Sequence, residues 1–146
     1  MTNRHVHPNR GTDRTGHSRS SFSFGQRCGR LIWQLCSPLV TWSPRPCHGW
    51  RRFVLRCFVA QLHSTARVYP GVRIWHPSRL IMHERSCLAE RVDVYNPANV
   101  IIEADATVSQ GTWLCTATHD FDAPEHPLVT SPIRIGAGAW VAGEVF

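Results

Sequence analysis

The sequence predicts an all-β fold, a parallel β-helix of hexapeptide repeats, preceded by a short helical segment and a disordered basic tail. Three observations support this fold class. A six-residue hydrophobic period runs from Leu62 onward, small residues recur at a fixed place in the repeat, and the front half is rich in arginine. With 146 residues and 42% hydrophobic content, the chain is expected to form one modest core with an accessory segment.

Charge divides the chain into two unlike halves. Residues 1–60 contain ten arginines and a single acid, Asp13, whereas residues 61–146 contain six arginines and nine acids. The basic half has no nucleic-acid-binding motif, so we expect no nucleic-acid partner. No apolar run resembles a secretory signal or approaches the roughly 20 residues of a membrane span, which favours a cytoplasmic chain. The six irregularly spaced cysteines are expected to be reduced, with no metal bound.

Residues 1–24 are too polar to bury much surface, and we interpret them as a disordered basic tail. Residues 25–60 are expected to form a helical segment, because two apolar stretches there flank a proline-rich turn. In the second stretch an apolar stripe has helical spacing, which leaves the arginines on the opposite face. Such a stripe can cover the end of the next domain or contact an anionic membrane surface. Its members are Trp50, Phe53, Val54, Cys57 and Phe58.

Residues 61–146 carry the repeat. Aliphatic residues or methionine recur every six residues within triplets, and eight residues separate the first three triplets, so equivalent positions recur every twenty. These positions are Leu62, Val68 and Ile74; Met82, Leu88 and Val94; Ile102, Val108 and Leu114; and Ile135 and Val141.

The fourth residue after each of these positions is Ser, Thr, Ala or Val, as a tight corner requires. These corner residues are Ala66, Val72, Ser78, Ser86, Val92, Ala98, Ala106, Thr112, Thr118, Ala139 and Val145. Three six-residue sides make one triangular coil, and successive coils stack as parallel strands around inward-pointing aliphatic ladders. A β-sandwich with coincidental spacing is the alternative, but it does not explain a period that pauses and resumes.

The period pauses between Leu114 and Ile135, where residues 116–132 form a loop. Long loops on a rigid scaffold often carry binding and catalytic groups. His119 lies near the start of this loop, and an imidazole is suited to general-base chemistry near neutral pH.

Residues from about 22 to 146 resemble the colanic acid biosynthesis acetyltransferases, within the left-handed β-helix hexapeptide acyltransferases that include maltose and serine acetyltransferases. Four segments carry the resemblance, and the third is the most specific. They are Pro44-Arg-Pro-Cys-His-Gly-Trp-Arg-Arg-Phe; Val94-Tyr-Asn; Ala106-Thr-Val-Ser-Gln-Gly-Thr-Trp-Leu-Cys-Thr-Ala-Thr-His-Asp; and Ile135-Gly-Ala-Gly-Ala-Trp-Val-Ala.

The resemblance implies a left-handed β-helix, a homotrimer, acetyl-CoA as acyl donor, a saccharide hydroxyl as acceptor and His119 as catalytic base. Asn96 resembles the family's polar residue that faces the acceptor, or it forms an Asn-Pro turn. Asp93 is a further candidate for the acceptor site. Asp120 either orients the His119 ring or forms a turn.

The segment from Trp140 resembles the lining of the family's pantetheine groove, although a tryptophan closing a coil corner is an equal alternative. The residues concerned are Trp140, Ala142 and Gly143. Relatives in the family continue for further coils, so the β-helix domain is expected to be incomplete at its C-terminal end, with part of the CoA groove missing.

Three other functions remain open. The first is an inactive truncated β-helix, either a remnant or an assembly module. The second is a zinc enzyme similar to the γ-class carbonic anhydrases, although the histidine spacing does not match that family. The third is a Cys115–His119 nucleophile pair. The histidines considered as zinc ligands are His76, His83, His119 and His126.

Overall fold

The computed structural model describes residues 24–145 and begins with three helices. These are α1 (Phe24–Cys36), α2 (Pro38–Thr41) and α3 (His48–Cys57). A proline-containing turn separates α2 from α3, at the place that the sequence predicts. The expected tail of residues 1–24 lies outside the described residues, except for Phe24, where α1 begins. No helix in the described part of the chain is long and apolar enough to cross a membrane.

From Gln61 onward the described residues form short strands, joined by turns and one 3-10 helix, Pro77–Arg79. The strands of the first two coils are β1 (Gln61–Leu62), β2 (Arg67–Val68), β3 (Arg73–Ile74), β4 (Leu80–Met82), β5 (Cys87–Leu88) and β6 (Asp93–Tyr95). The strands that follow are β7 (Val100–Ile102), β8 (Thr107–Val108), β9 (Trp113–Cys115), β10 (Ala117–His119), β11 (Leu128–Thr130), β12 (Ile133–Ile135) and β13 (Trp140–Val141).

Three sheets of parallel strands form the sides of the stack, in the orders β1-β4-β7-β12, β2-β5-β8-β13 and β3-β6-β9. Leu62 pairs with Met82, Met82 with Ile102 and Ile102 with Ile135, so the twenty-residue step widens where the loop interrupts the period. This is the arrangement of a parallel β-helix.

The inward ladders confirm the predicted register. Val68, Leu88 and Val108 are completely buried on the second side, and the other ladder positions up to Ile135 are buried as well. Val141, on the last strand described, is partly buried against the same core. Each fully buried aliphatic side chain contributes roughly 1.5–3 kcal/mol, which is the main reason why the coils stack.

The third corner of each coil, which follows the third strand (β3, β6 or β9), is less buried than predicted. Ser78 and Thr118 are exposed and Ala98 is only partly buried, whereas the corner residues predicted for the first two sides of the first three coils are buried. The eight-residue connection adds a turn that places Leu80 and Val100 inward, in addition to the predicted ladder. Pattern matching at a six-residue period could not show this extra ladder.

Helix α3 also turns a different face inward from the one predicted. Its buried residues are Arg51, Val54 and Leu55, whereas Trp50 and Phe53 of the predicted apolar stripe are exposed. The reason is that arginine side chains on this face find hydrogen-bond acceptors on the first coil. Of the two placements left open by the sequence, α3 therefore covers the end of the β-helix, but it does so with arginines as well as with aliphatic residues.

The acceptors are backbone carbonyl oxygens along the first coil, which would otherwise form an unpaired sheet edge. On the first side Arg56 donates to Leu62 O at 2.6 Å, and on the second side Arg52 donates to Ala66 O at 2.8 Å. Val68 O accepts from Arg51 Nε at 2.6 Å and contacts His48 Nδ1 at 2.8 Å.

Helices α1 and α2 complete this capping on the third side. The indole N–H of Trp33 donates to Ile74 O at 2.7 Å, and Gly71 N–H donates to Thr41 O at 2.8 Å. Trp33 and Val54 also belong to the same hydrophobic core as the inward ladders. Residues 24–60, which we call the helical cap, are therefore integral to the core of the β-helix.

Candidate functional site

The loop of residues 116–132 leaves the stack at the third corner and contains an antiparallel hairpin of β10 and β11. Its base is fixed on both sides by the coil below. The Thr116 hydroxyl accepts a hydrogen bond from Ala98 N–H at 2.8 Å, and Ile133 N–H donates to Asn99 O at 3.0 Å. Thr116 N–H also donates to Tyr95 O at 3.0 Å. The loop therefore projects from a rigid, hydrogen-bonded base.

His119 ends β10, and its exposed side chain is held by the hairpin itself. Its Nδ1 lies 2.7 Å from the carbonyl oxygen of His126. A carbonyl oxygen can only accept, so Nδ1 carries the proton in this hydrogen bond and Nε2 carries the lone pair. The backbone of the loop thus selects the tautomer in which the imidazole can accept a proton through Nε2.

Asp120 and His126 shape the tip of the same hairpin. The Asp120 carboxylate accepts the N–H of Asp122 at 3.0 Å, which is the geometry of an Asx turn. His126 has a positive φ of 43° and its Nδ1 lies 3.3 Å from the backbone oxygen of Asp120. Asp120 was considered either to orient the His119 ring or to form a turn. The turn-forming contact is present, and the His119 ring is held by the carbonyl of His126.

Asn96 lies inside the third corner, one coil before the loop. Its side chain is fully buried, and it makes two hydrogen bonds of 2.9 Å to the backbone of His76. The amide N–H₂ donates to the carbonyl of His76, and the amide oxygen accepts from the N–H of the same residue. Both ends of the Asn96 amide are therefore used to join the first coil to the second.

Asp93 projects outward from β6 and forms an ion pair with Arg73 on the neighbouring strand β3. On the outer surface of the same side of the stack, the rings of Trp75 and Tyr95 lie 5.2 Å apart. The guanidinium of Arg30 lies 4.2 Å from the centre of the Trp75 ring. This side of the stack therefore presents an aromatic and charged surface beneath the loop.

The expected cofactor residues occupy the fourth coil. Trp140 is 79% exposed, and its indole N–H donates to the Ser109 hydroxyl at 2.6 Å, which fixes the ring against the coil below. Ala142 and Gly143 are exposed at the following corner. A Cβ on Gly143 would lie 3.0 Å from the Gln110 side chain, so the backbone there is closely packed on the third coil.

The sequence analysis missed the structural roles of two residues at the third corner, Thr116 and His76. Thr116 was read as part of a family motif, but its hydroxyl supports the base of the loop. His76 is half-buried, its Nδ1 lies 3.0 Å from the Ser78 hydroxyl, and its Nε2 is buried without a hydrogen-bond partner. Burial lowers the pKa of His76, and Arg79 and Arg30 lower it further. The repeated His-Pro and Asn-Pro pairs, twenty residues apart, were the signal that could have marked this corner.

Among the described residues, no three His, Cys, Asp or Glu side chains are grouped so that they could hold a metal ion. The five cysteines whose side chains are described are all free thiols. The last cysteine along the chain, Cys115, donates to the backbone oxygen of Ala117 at 3.2 Å. No contact between its sulfur and the His119 ring is part of this arrangement.

These features define a class of protein: a parallel β-helix that is interrupted by one histidine-bearing loop above a supported corner.

No protein-family model matches the chain. The chain is 31% identical over 117 residues to an Escherichia coli (strain K12) protein named "Putative colanic acid biosynthesis acetyltransferase WcaF". A Shigella flexneri protein of the same name matches equally. The match covers 80% of this chain and 64% of each relative, so the resemblance inferred from the motifs is confirmed.

Proposed function

We propose that this chain belongs to a left-handed β-helix acetyltransferase that transfers an acetyl group from acetyl-CoA to a saccharide hydroxyl during polysaccharide synthesis. The proposed enzyme is a cytoplasmic homotrimer. The names of the two relatives support the reaction class. The observation that carries the proposal is the exposure of the His119 ring on the supported loop, where the backbone holds Nδ1 and leaves the Nε2 lone pair to act as a base.

In the proposed reaction the Nε2 atom of His119 accepts the proton of the acceptor hydroxyl. The hydroxyl oxygen attacks the thioester carbonyl carbon, the carbon–sulfur bond breaks, and the thiol of CoA leaves. The imidazolium then returns its proton to the departing sulfur. A general base of this kind contributes typically 10²- to 10⁴-fold in rate, and positioning of the two substrates contributes much of the remainder.

The acyl donor would lie along the exposed surface of the fourth coil. Trp140, Ala142 and Gly143 are all exposed there, and the fixed indole of Trp140 offers an apolar face to an extended pantetheine arm. Asp93, which is partly exposed and ion-paired with Arg73, is the further polar candidate for the acceptor side. Asn96 and Asp120 would act indirectly, through the corner and the turn that their side chains stabilise.

The test compares two histidines of the same loop. We expect His119→Ala to lower thiol release from acetyl-CoA, measured with a saccharide acceptor, by at least about 100-fold. His126→Asn is the matched control, because it keeps the carbonyl that holds His119 and asparagine tolerates the positive φ at this position. We expect the control to retain activity within about threefold, and both variants to keep the parent's melting temperature.

Turnover that persists in His119→Ala would remove this residue as the base. Loss of folding in that variant would instead assign it a structural role. If the parent chain neither binds acetyl-CoA in calorimetry nor releases thiol, the alternative of an inactive remnant or assembly module gains support.

A further inference from the structure

A pocket of about 220 Å³ lies between the helical cap and the third corner of the first coil. Three aromatic side chains, those of Trp33, Phe58 and Trp75, form much of its lining. The rings of Trp33 and Phe58 meet edge to face with their centroids 4.9 Å apart, and the Trp33 indole N–H is fixed by its hydrogen bond to Ile74 O. The walls of the pocket are therefore aromatic and held in place by the packing of the cap.

The size and the lining of the pocket suit a small aromatic molecule. A dry apolar cavity of roughly 150 Å³ is large enough to bind benzene, so the larger volume here accommodates one ring with a substituent or two fused rings. Aromatic rings pack favourably in edge-to-face and offset arrangements, in addition to the area that they bury. A sugar ring is less suited, because most of its hydroxyl groups would lack polar partners between aromatic walls.

One polar atom in the lining has no partner. His76 Nε2 is buried without a hydrogen bond, whereas Nδ1 of the same ring lies 3.0 Å from the Ser78 hydroxyl. Burial lowers the pKa of His76, which keeps the ring neutral near pH 7. With the Ser78 hydroxyl donating to Nδ1, the neutral ring carries its proton on Nε2. The missing partner is then an acceptor, and a ligand that supplies it gains a hydrogen bond that the free chain lacks.

The charges around His76 favour an anionic acceptor. Arg30 lines the pocket, and its guanidinium lies 4.2 Å from the centre of the Trp75 ring. After burial, the next causes of the lowered His76 pKa are the positive charges of Arg79 and Arg30, so both cations act at this ring. A carboxylate accepts stronger hydrogen bonds than a neutral oxygen does, and nearby positive charge favours it further.

We infer that this pocket binds a small aromatic carboxylate, with its ring among the three aromatic side chains and its carboxylate accepting from His76 Nε2 beside Arg30. A side chain at the edge of the pocket has to shift as the ligand enters, because Nε2 is closed to solvent. The inference does not depend on acetyl transfer. A bound ligand would join the helical cap to His76, whose backbone is bonded to Asn96 beneath the loop.

The test is calorimetry of the 146-residue chain with indole-3-carboxylate and with indole-3-carboxamide, a neutral probe of nearly the same size and shape. We expect saturable binding of the carboxylate, with a dissociation constant below about 1 mM, and at least about tenfold weaker binding of the amide. NMR of isotope-labelled tryptophan indole N–H groups would locate the site. The signals of Trp33 and Trp75 should shift on binding, and the signal of Trp140 on the fourth coil should not.

His76→Asn removes Nε2 and keeps a polar atom near the position of Nδ1, beside Ser78. It should weaken binding of the carboxylate by at least about tenfold. His63→Asn is the matched control, because His63 is exposed outside the pocket and its Nδ1 makes the same kind of contact, 2.9 Å from the Thr65 hydroxyl. The control should bind the carboxylate as the parent does, and thermal melting would establish that both variants are folded.

The inference is overturned if the parent binds neither probe, if it binds the carboxylate and the amide equally, or if folded His76→Asn binds the carboxylate as well as the parent. It is also overturned if the carboxylate shifts the Trp140 signal and not those of Trp33 and Trp75, because the probe would then occupy another site. Should His76→Asn fail to fold, the comparison of the two probes and the indole signals still decide the outcome.

Discussion

The helical cap and the loop of residues 116–132 each hold a histidine by the same hydrogen bond, yet the two rings are in opposite situations. His48 Nδ1 lies 2.8 Å from Val68 O, and His119 Nδ1 lies 2.7 Å from His126 O. His48 is half-buried, its ring 4.7 Å from that of Tyr69, whereas His119 is exposed on a projecting hairpin. Burial lowers the pKa of His48, and Arg51 and Arg52 lower it further.

The comparison shows that a backbone hydrogen bond to Nδ1 does not by itself identify a base. In the cap the bond completes the capping of a strand edge and the ring is packed among neighbours. In the loop the bond orients an imidazole whose other nitrogen faces solvent. Exposure on a supported loop, rather than the hydrogen bond, is what distinguishes the functional candidate from the structural residue.

The largest effect on stability is expected from Arg51, because the helical cap depends on this side chain more than on the other arginines of α3. Arg51 is completely buried and donates to Val68 O, Pro44 O, Arg45 O and the Ser43 hydroxyl. Arg51→Met would remove these four hydrogen bonds, although Val68 O would keep its contact with His48 Nδ1 and Pro44 O the N–H of Cys47. We expect the free energy of unfolding to fall by about 3–5 kcal/mol. Urea denaturation would measure this loss.

Arg52→Met is the matched control for that change. The Arg52 side chain donates one hydrogen bond, to Ala66 O, so its loss should cost about 1–2 kcal/mol. Equal effects of the two substitutions would show that the cap is held by its aliphatic contacts and not by the arginine network.

An intermediate effect is expected at the third corner, which supports the loop. Asn96→Ala would leave the N–H of His76 without its partner and would remove one of the two donors to the His76 carbonyl, which also accepts the N–H of Arg79. We expect a loss of about 2–4 kcal/mol in unfolding free energy. Asn99→Ala is the control, because Asn99 is exposed and contributes its backbone carbonyl, which the substitution keeps. If Asn96→Ala melts like the parent, the corner does not depend on its amide.

The sequence predicted the parts of the fold that repeat. Leu88 and Val108 follow a fixed six-residue register, and the same register located the loop that carries His119. The inward positions of Leu80 and Val100 were missed because the eight-residue corner departs from that period. The inward face of α3 was wrong because hydrophobic patterning assigns arginine to solvent, although the carbonyl edge of a first coil is a strong acceptor.

The site could be predicted only to the level of residue and loop. His119 was found by its position and motif, whereas its Nδ1 partner depends on the hairpin register that pairs His119 with Leu128. Asn96 was predicted either to face the acceptor or to form an Asn-Pro turn, and its amide lies inside the corner, bonded to the backbone of His76. No periodic pattern reports which side-chain atoms meet which backbone atoms across twenty residues.

The smallest effect is the pH dependence of stability, which is expected from the structural histidines His48 and His76 rather than from the loop. Burial lowers the pKa of both His48 and His76 from the usual value of 6.5. Below pH 6.5 the unfolded chain therefore binds more protons at these two positions than the folded chain does. Stability from both rings is complete above pH 6.5 and decreases as the pH falls toward their lower folded-state values.

We expect the free energy of unfolding, measured by urea denaturation, to decline between about pH 6.5 and 5. The decline should be less than about 1 kcal/mol for each ring, because both rings are partly exposed. The ion-paired carboxyls of Glu103 and Asp105, whose pKa values Arg134 and Arg85 lower, act in the same direction but at more acidic pH. His48→Gln should make the decline in stability between pH 6.5 and 5 smaller. Adding His76→Gln should make it smaller still. A decline that is unchanged in both variants would mean that neither ring is desolvated in the folded chain, and the contrast between His48 and His119 would then lose its physical basis.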